Sequence, residues 1–150
     1  MHQMDVKNAF MQGNLEKHVY MVPPPIFQFE LNNLAVFRLK KSPYELKQAL
    51  RAWKVKITQR LHRMGFQPSQ SDSSLFIQQG HKGLVSILLY VEDLVIADVD
   101  LEEIGQVKSQ LVATFEMKDL GDLHYFLGIE VIQTLEGILI SQRHYMINID

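Results

Sequence analysis

The stretch SILLYVEDLVIAD, residues 86–98, constrains the fold more than any other part of the chain. Ser86 to Val91 can line a buried strand, Glu92 and Asp93 follow as adjacent carboxylates, and the chain returns at once to Leu94, Val95, Ile96 and Ala97. Apolar runs this short are strand-length, so the stretch predicts two antiparallel strands joined at the acids. One account of the acids is a polar hairpin tip, because Asp suits turns and turns face water. The preferred two-residue tip would place Gly after the acid, whereas here Leu94 follows Asp93 directly. The other account is a metal site, in which carboxylates on neighbouring strands hold Mg2+ with substrate phosphate and water. Such a site needs a third acid, and Asp5, at the end of the half-apolar segment HQMDV, is the candidate. Three acids on one sheet repel one another unless a divalent cation sits among them.

The surrounding periodicities supply the rest of a fold. KHVYMV alternates like a strand and stops at Pro23–Pro25, LAVFRLK is a second short strand, and NAFMQGNL reads as a helical turn ended by Gly13. Leu46, Ala49, Leu50, Trp53, Ile57, Leu61 and Met64 recur at steps of three and four, which predicts an amphipathic helix over 45–64 ending at Gly65. Strands follow at 74–78, 84–91 and 94–97. Asp100 caps a second helix to about Phe115, and residues 123–132 and 137–142 suit a hairpin. The order strand, helix, strand, strand, helix, strand predicts an α+β, ferredoxin-like antiparallel sheet with two main helices packed on one face.

Composition narrows the setting. At 150 residues and 47% apolar content the chain suits one domain with a core, and the absence of cysteine excludes disulfides and thiolate metal sites. MHQMDVKNAF lacks an apolar signal core, and no run reaches the roughly 20 residues of a membrane helix, so an intracellular, cytoplasmic protein without membrane contact is expected. The net charge of −2 conceals an asymmetry. Nine Lys or Arg face one acid between Arg38 and Arg63, while eleven acids face two lysines between Glu92 and Glu136. The first window fits either a solvated helix face or contact with nucleic-acid phosphates.

The segments MDVKNAFMQGNLEKHVYM, RLKKSPYELKQALRAW, SDSSLFI, LLYVEDLVI and FEMKDLGDLHYFLGIEV, from about Gln3 to Arg143, resemble in order and spacing the polymerase domain of Ty1/copia-type retrotransposon reverse transcriptases. The resemblance implies a palm fold and RNA-directed DNA polymerase chemistry, with Asp5, Glu92 and Asp93 catalytic. Two Mg2+ ions, with Mn2+ as the possible substitute, would be held by these three acids and the carbonyl of Val6. It also implies nucleotide contacts from Phe10, Gln48 and Tyr90, with the Phe10 ring set against a 2′-hydroxyl. Nucleic-acid contacts are implied for Lys47, Arg51, Lys54, Leu127 and Gly128. The implied partners are an RNA template, a DNA primer, deoxynucleoside triphosphates and the remaining Pol polyprotein domains, within a virus-like particle if the element is intact.

Four positions depart from the family pattern. Glu92 stands for the first hairpin aspartate, Glu45 for a glycine, Leu50 for a proline and Ile26 for the glycine of a Pro-Pro-Gly-Phe segment. Residues 1–150 are therefore expected to be a palm fragment of a partial or decayed element, with fingers, thumb and ribonuclease H lying outside them. The alternative is an inactive relic that keeps the fold or a nucleic-acid-binding surface. An RNA-recognition sheet fits less well, because VSILLYV offers Tyr90 as its only stacking aromatic.

Overall fold

Strand alternation decides the architecture seen in the computed structural model, which describes residues 1–12, 14–28, 36–41 and 47–142; within these, the side chains of residues 10, 14–17, 27, 28, 41, 47 and 48 are excluded. The elements are β1 (His2–Val6), α1 (Ala9–Gln12), β2 (Asn14–Met21), α2 (Pro25–Gln28), β3 (Phe37–Lys41) and α3 (Lys47–Arg63). They continue with β4 (Gln67–Pro68), β5 (Leu75–Gln79), β6 (Leu84–Tyr90), β7 (Asp93–Ala97) and α4 (Leu101–Val112). Last come β8 (Met117–Asp122), β9 (Tyr125–Phe126), β10 (Ile129–Thr134) and β11 (Gly137–Ser141).

The central sheet has the order β4-β5-β6-β7-β1-β8, with every neighbouring pair antiparallel. Its β6-β7-β1-β8 part, threaded as β1, α3, β6, β7, α4, β8, has the split strand–helix order expected from the sequence, except that the last strand is β8 and not residues 123–132, which pair in a separate sheet. Met4 and Val6 of β1, Val85, Ile87 and Leu89 of β6, and Leu94 and Ile96 of β7 turn to one face. There they meet Trp53, Ile57 and Leu61 of α3 and Ile104, Val107 and Leu111 of α4 in the main core, so both long helices cover that face. On the other face a smaller cluster of Val95, Leu123 and Val131, with Met1, Leu88 and Phe126 beside it, seats the β11-β10-β9 sheet. The β2-β3 ribbon and α1 lie against α3.

Both helix ends have local causes. At the C-terminus of α3, the Phe66 N–H donates to Leu61 O and the Gly65 N–H to His62 O, both at 3.0 Å. This closing pair needs the left-handed backbone that Gly65 adopts at φ +97°. Asp100 caps α4 by accepting the Glu102 N–H at 3.0 Å. Leu50, where the family pattern has proline, lies in the first turn of α3 and is half exposed. Glu45, Gly13, Leu46 and residues 143–150 lie outside the described residues.

Three sequence expectations are corrected. The acids are not the two tip residues of the hairpin. Tyr90 pairs with Asp93, so the tip is Val91–Glu92 and Asp93 is the first residue of β7. Strand β8 is absent from the sequence pattern, because MKDLGD is mostly exposed and carries no apolar alternation; as an edge strand it needs none. Helix α4 ends at Val112, and Phe115 reaches the core from the following turn.

Candidate metal centre and its surroundings

The hairpin tip is held from both sides. From the helix side, the fully buried Trp53 donates its indole Nε1–H to Val91 O at 2.7 Å. From β1, the Val6 N–H donates to Glu92 O at 2.9 Å. Val91 sits at φ +53°, an uncommon conformation for a β-branched residue, and the two contacts fall on its own carbonyl and on the next one. The structure thus gives Val6 an anchoring role through its N–H, whereas the family resemblance implies its carbonyl as a ligand.

Antiparallel register places Asp5 directly opposite Asp93. Such pairs share a face with Cβ atoms about 4.5–5.5 Å apart, and like charges so placed are destabilising. Gln3, two residues before Asp5 on the same face, donates its Nε2–H to Asp93 Oδ1 at 3.0 Å. Burial pushes the Glu92 carboxyl above its ordinary value, and the nearby charges of Asp5 and Asp93 push it further. Asp5, Glu92 and Asp93 therefore lie at the same end of the central sheet. No three His, Asp or Glu side chains among the described residues converge into a ligand group. The pair that fits a divalent cation is Asp5 and Asp93. They are hard oxygen donors whose mutual repulsion a cation would relieve, and Glu92 stands beside them on the tip.

Tyr90 shares the open face with Asp93, is about half exposed, and packs edge-on against Phe126 with ring centroids 6.1 Å apart. Through that contact the β9–β10 hairpin is seated next to the acids. Its tip is Leu127–Gly128, at φ +52° and +79°, and Leu127 is exposed. Arg51 and Lys54 are exposed on α3. Lys47 and Gln48 begin that helix, and Phe10 lies in α1, but the side chains of these three are outside the described residues. Sequence reasoning missed Gln3 and the Trp53 donor. Gln3 was within reach, since a two-residue period puts it on the face of Asp5. The indole bond depends on the packing of residues 38 apart.

Helices cover one face of this α+β domain, and the other face carries the opposed carboxylates beside the β11-β10-β9 sheet. Residues 1–149 match the family described as reverse transcriptase (RNA-dependent DNA polymerase), and the chain belongs to that family. It is 42% identical over 98% of its length to the retrovirus-related Pol polyprotein from transposon RE1 of Arabidopsis thaliana. It is 33% identical over 96% of its length to that from transposon TNT 1-94 of Nicotiana tabacum, and 28% identical over 86% to the transposon Ty1-BR Gag-Pol polyprotein of Saccharomyces cerevisiae. The matches cover 10%, 11% and 7% of those relatives respectively, so the chain spans about a tenth of their length. The Ty1/copia-type resemblance read from the motifs holds. Among the described residues, no helix is long and apolar enough to cross a membrane.

Proposed function

We propose that this chain is the palm-type core of an RNA-directed DNA polymerase from a copia-type Pol polyprotein, extending a DNA primer on an RNA template with deoxynucleoside triphosphates. The observation that carries this is the opposition of Asp5 and Asp93 across β1 and β7 with Glu92 at the adjoining tip, in a chain of this family. Asp5 and Asp93 are the principal ligands for Mg2+, or Mn2+ in its place, with Glu92 as the third acid. When bound there, the ion supplies activation of a primer 3′-hydroxyl and neutralisation of triphosphate charge. The stiff hairpin keeps Asp93 in register with Asp5, because the Trp53 and Val6 contacts fix the tip that leads into β7.

Phe10 is assigned to the sugar of the incoming nucleotide, Gln48 and Tyr90 to the same substrate, and Leu127–Gly128 to the primer end. Lys47, Arg51 and Lys54 offer charge to backbone phosphates. The other Pol domains are the partners that complete the enzyme. No observation favours the inactive-relic alternative. The test is primer extension on an RNA template by the protein extended with its flanking Pol segments. Asp93→Asn should lower the rate about 10³-fold, the size of a loss of several kcal/mol of charge stabilisation, with no loss of melting temperature. An Asp93→Asn rate near the parent's would overturn the assignment.

A further inference from the structure

One oxygen of Asp93 already has a partner. The Gln3 carboxamide donates to Oδ1 at 3.0 Å across the sheet, in a part-buried setting. Asp5 faces Asp93 and Gln3 faces Val95, which makes Gln3 the diagonal neighbour of Asp93 on the same face. On its other side Gln3 pairs with Gly121 of β8, which brings no side chain against the amide.

The chemistry of the donor matters. A lysine or arginine here would pair with Asp93 as an ion and cancel the charge a divalent cation needs. A carboxylate would add another like charge to a face that already carries Asp5 opposite Asp93, and an aliphatic side chain would leave the carboxylate free to rotate. A neutral amide does none of these: it fixes the carboxylate and leaves its charge and second oxygen available. Resting on the metal-site reading above, we infer that Gln3 is a positioning residue, holding the Asp93 carboxylate in the orientation that receives the cation.

The test uses the 150-residue chain with Mn2+ as probe. Binding is followed by the electron paramagnetic resonance of free Mn2+, and melting temperature is measured without metal. Gln3→Met keeps the length and removes the donor. It should melt within about 2–4 °C of the parent, the size of one lost side-chain hydrogen bond in a chain of this length, while binding Mn2+ about 10–100-fold more weakly. Gln3→Ala removes the donor without adding charge or bulk, should weaken Mn2+ binding to the same extent, and decides the matter if the Met variant fails to fold. Parent-like affinity in Gln3→Met, or in the Ala variant, overturns the role of Gln3. The metal site itself survives that result provided Asp93→Asn loses the ion. Parent-like affinity in Asp93→Asn overturns the metal site and the positioning role together.

Discussion

The two faces of the central sheet are built from the same strands by alternate residues, and they do opposite things. On the helix-covered face, Met4, Leu94 and Ile96 are fully buried among α3 and α4 side chains. One residue away along β1 and β7, the other face holds Gln3, Asp5 and Asp93 with the smaller cluster of Val95, Leu123, Val131 and their partly buried neighbours. The difference shows how a small domain tolerates opposed acids: their repulsion is borne by strands whose register the opposite face has already set. A one-residue slip in β1 would exchange Met4 and Asp5, bringing a carboxylate into the main core. Trp53 is the exception that joins the sides, buried with the helix face yet donating to the tip that carries Glu92.

The largest expected effect separates two adjacent residues of β7. Leu94→Ala empties a site on the helix face and should cost about 2–5 kcal/mol. Val95→Ala, in the smaller cluster, should cost about 1–2 kcal/mol, near the transfer value of the carbons removed. Chemical denaturation of both variants measures this. Equal losses would mean that the open face contributes to stability no less than the covered one.

Next in size is Glu92→Asp. The extra methylene of glutamate carries its carboxylate roughly 1.5 Å further from the backbone, and a misplacement of about 1 Å can cost on the order of 10²-fold in rate. Mg2+ is unforgiving of displaced ligands because it demands near-ideal octahedral geometry. In the polymerase with its flanking Pol segments, Glu92→Asp should therefore raise Mg2+-supported primer extension about 10²-fold, and by less with Mn2+. Parent and variant rates that coincide in both ions would show that the tip accommodates the longer acid.

The legibility of this fold follows the same division. The amphipathic period of α3, its stop at Gly65, the cap at Asp100 and the apolar strands around the acids all report burial on the helix face, and burial leaves a pattern. The pairing of Asp5 with the hairpin came from strand order, and the register bears it out. Local pattern could not place the hairpin tip one residue earlier, at Val91–Glu92, because the positive φ falls on valine and no glycine marks it. Edge strand β8 was hidden for a related reason: its residues meet solvent, so no alternation betrays them. The contacts that fix the site, from Gln3 and Trp53, join residues 90 and 38 positions apart and become visible only once the sheet is assembled.

The smallest effect compares two acids in opposite surroundings. Glu92 faces Asp5 and Asp93 on the open side, and burial first, then those like charges, raise its carboxyl above the ordinary value. Burial also pushes Asp119 upward, but the Lys108 ammonium, 2.7 and 2.8 Å from its two oxygens, and the Gly121 N–H outweigh it and leave it lowered. The signs follow by linkage. For Glu92 the folded state is favoured while the group is protonated, and that advantage is lost as pH rises through its raised folded value. For Asp119 the advantage is present above the ordinary carboxylate value and is lost as pH falls through its lowered one. Glu92→Gln, which stays neutral, should therefore melt higher than the parent near pH 7 and converge with it below about pH 4, where an ordinary carboxylate is largely protonated in both states. Asp119→Asn should melt lower than the parent near pH 7 and approach it as the pH is reduced. Melting curves across that range read both trends. A Glu92→Gln variant less stable than the parent at neutral pH would mean that the tip glutamate is held by an attractive partner, and the open face would then be no more burdened by its acids than the helix face is.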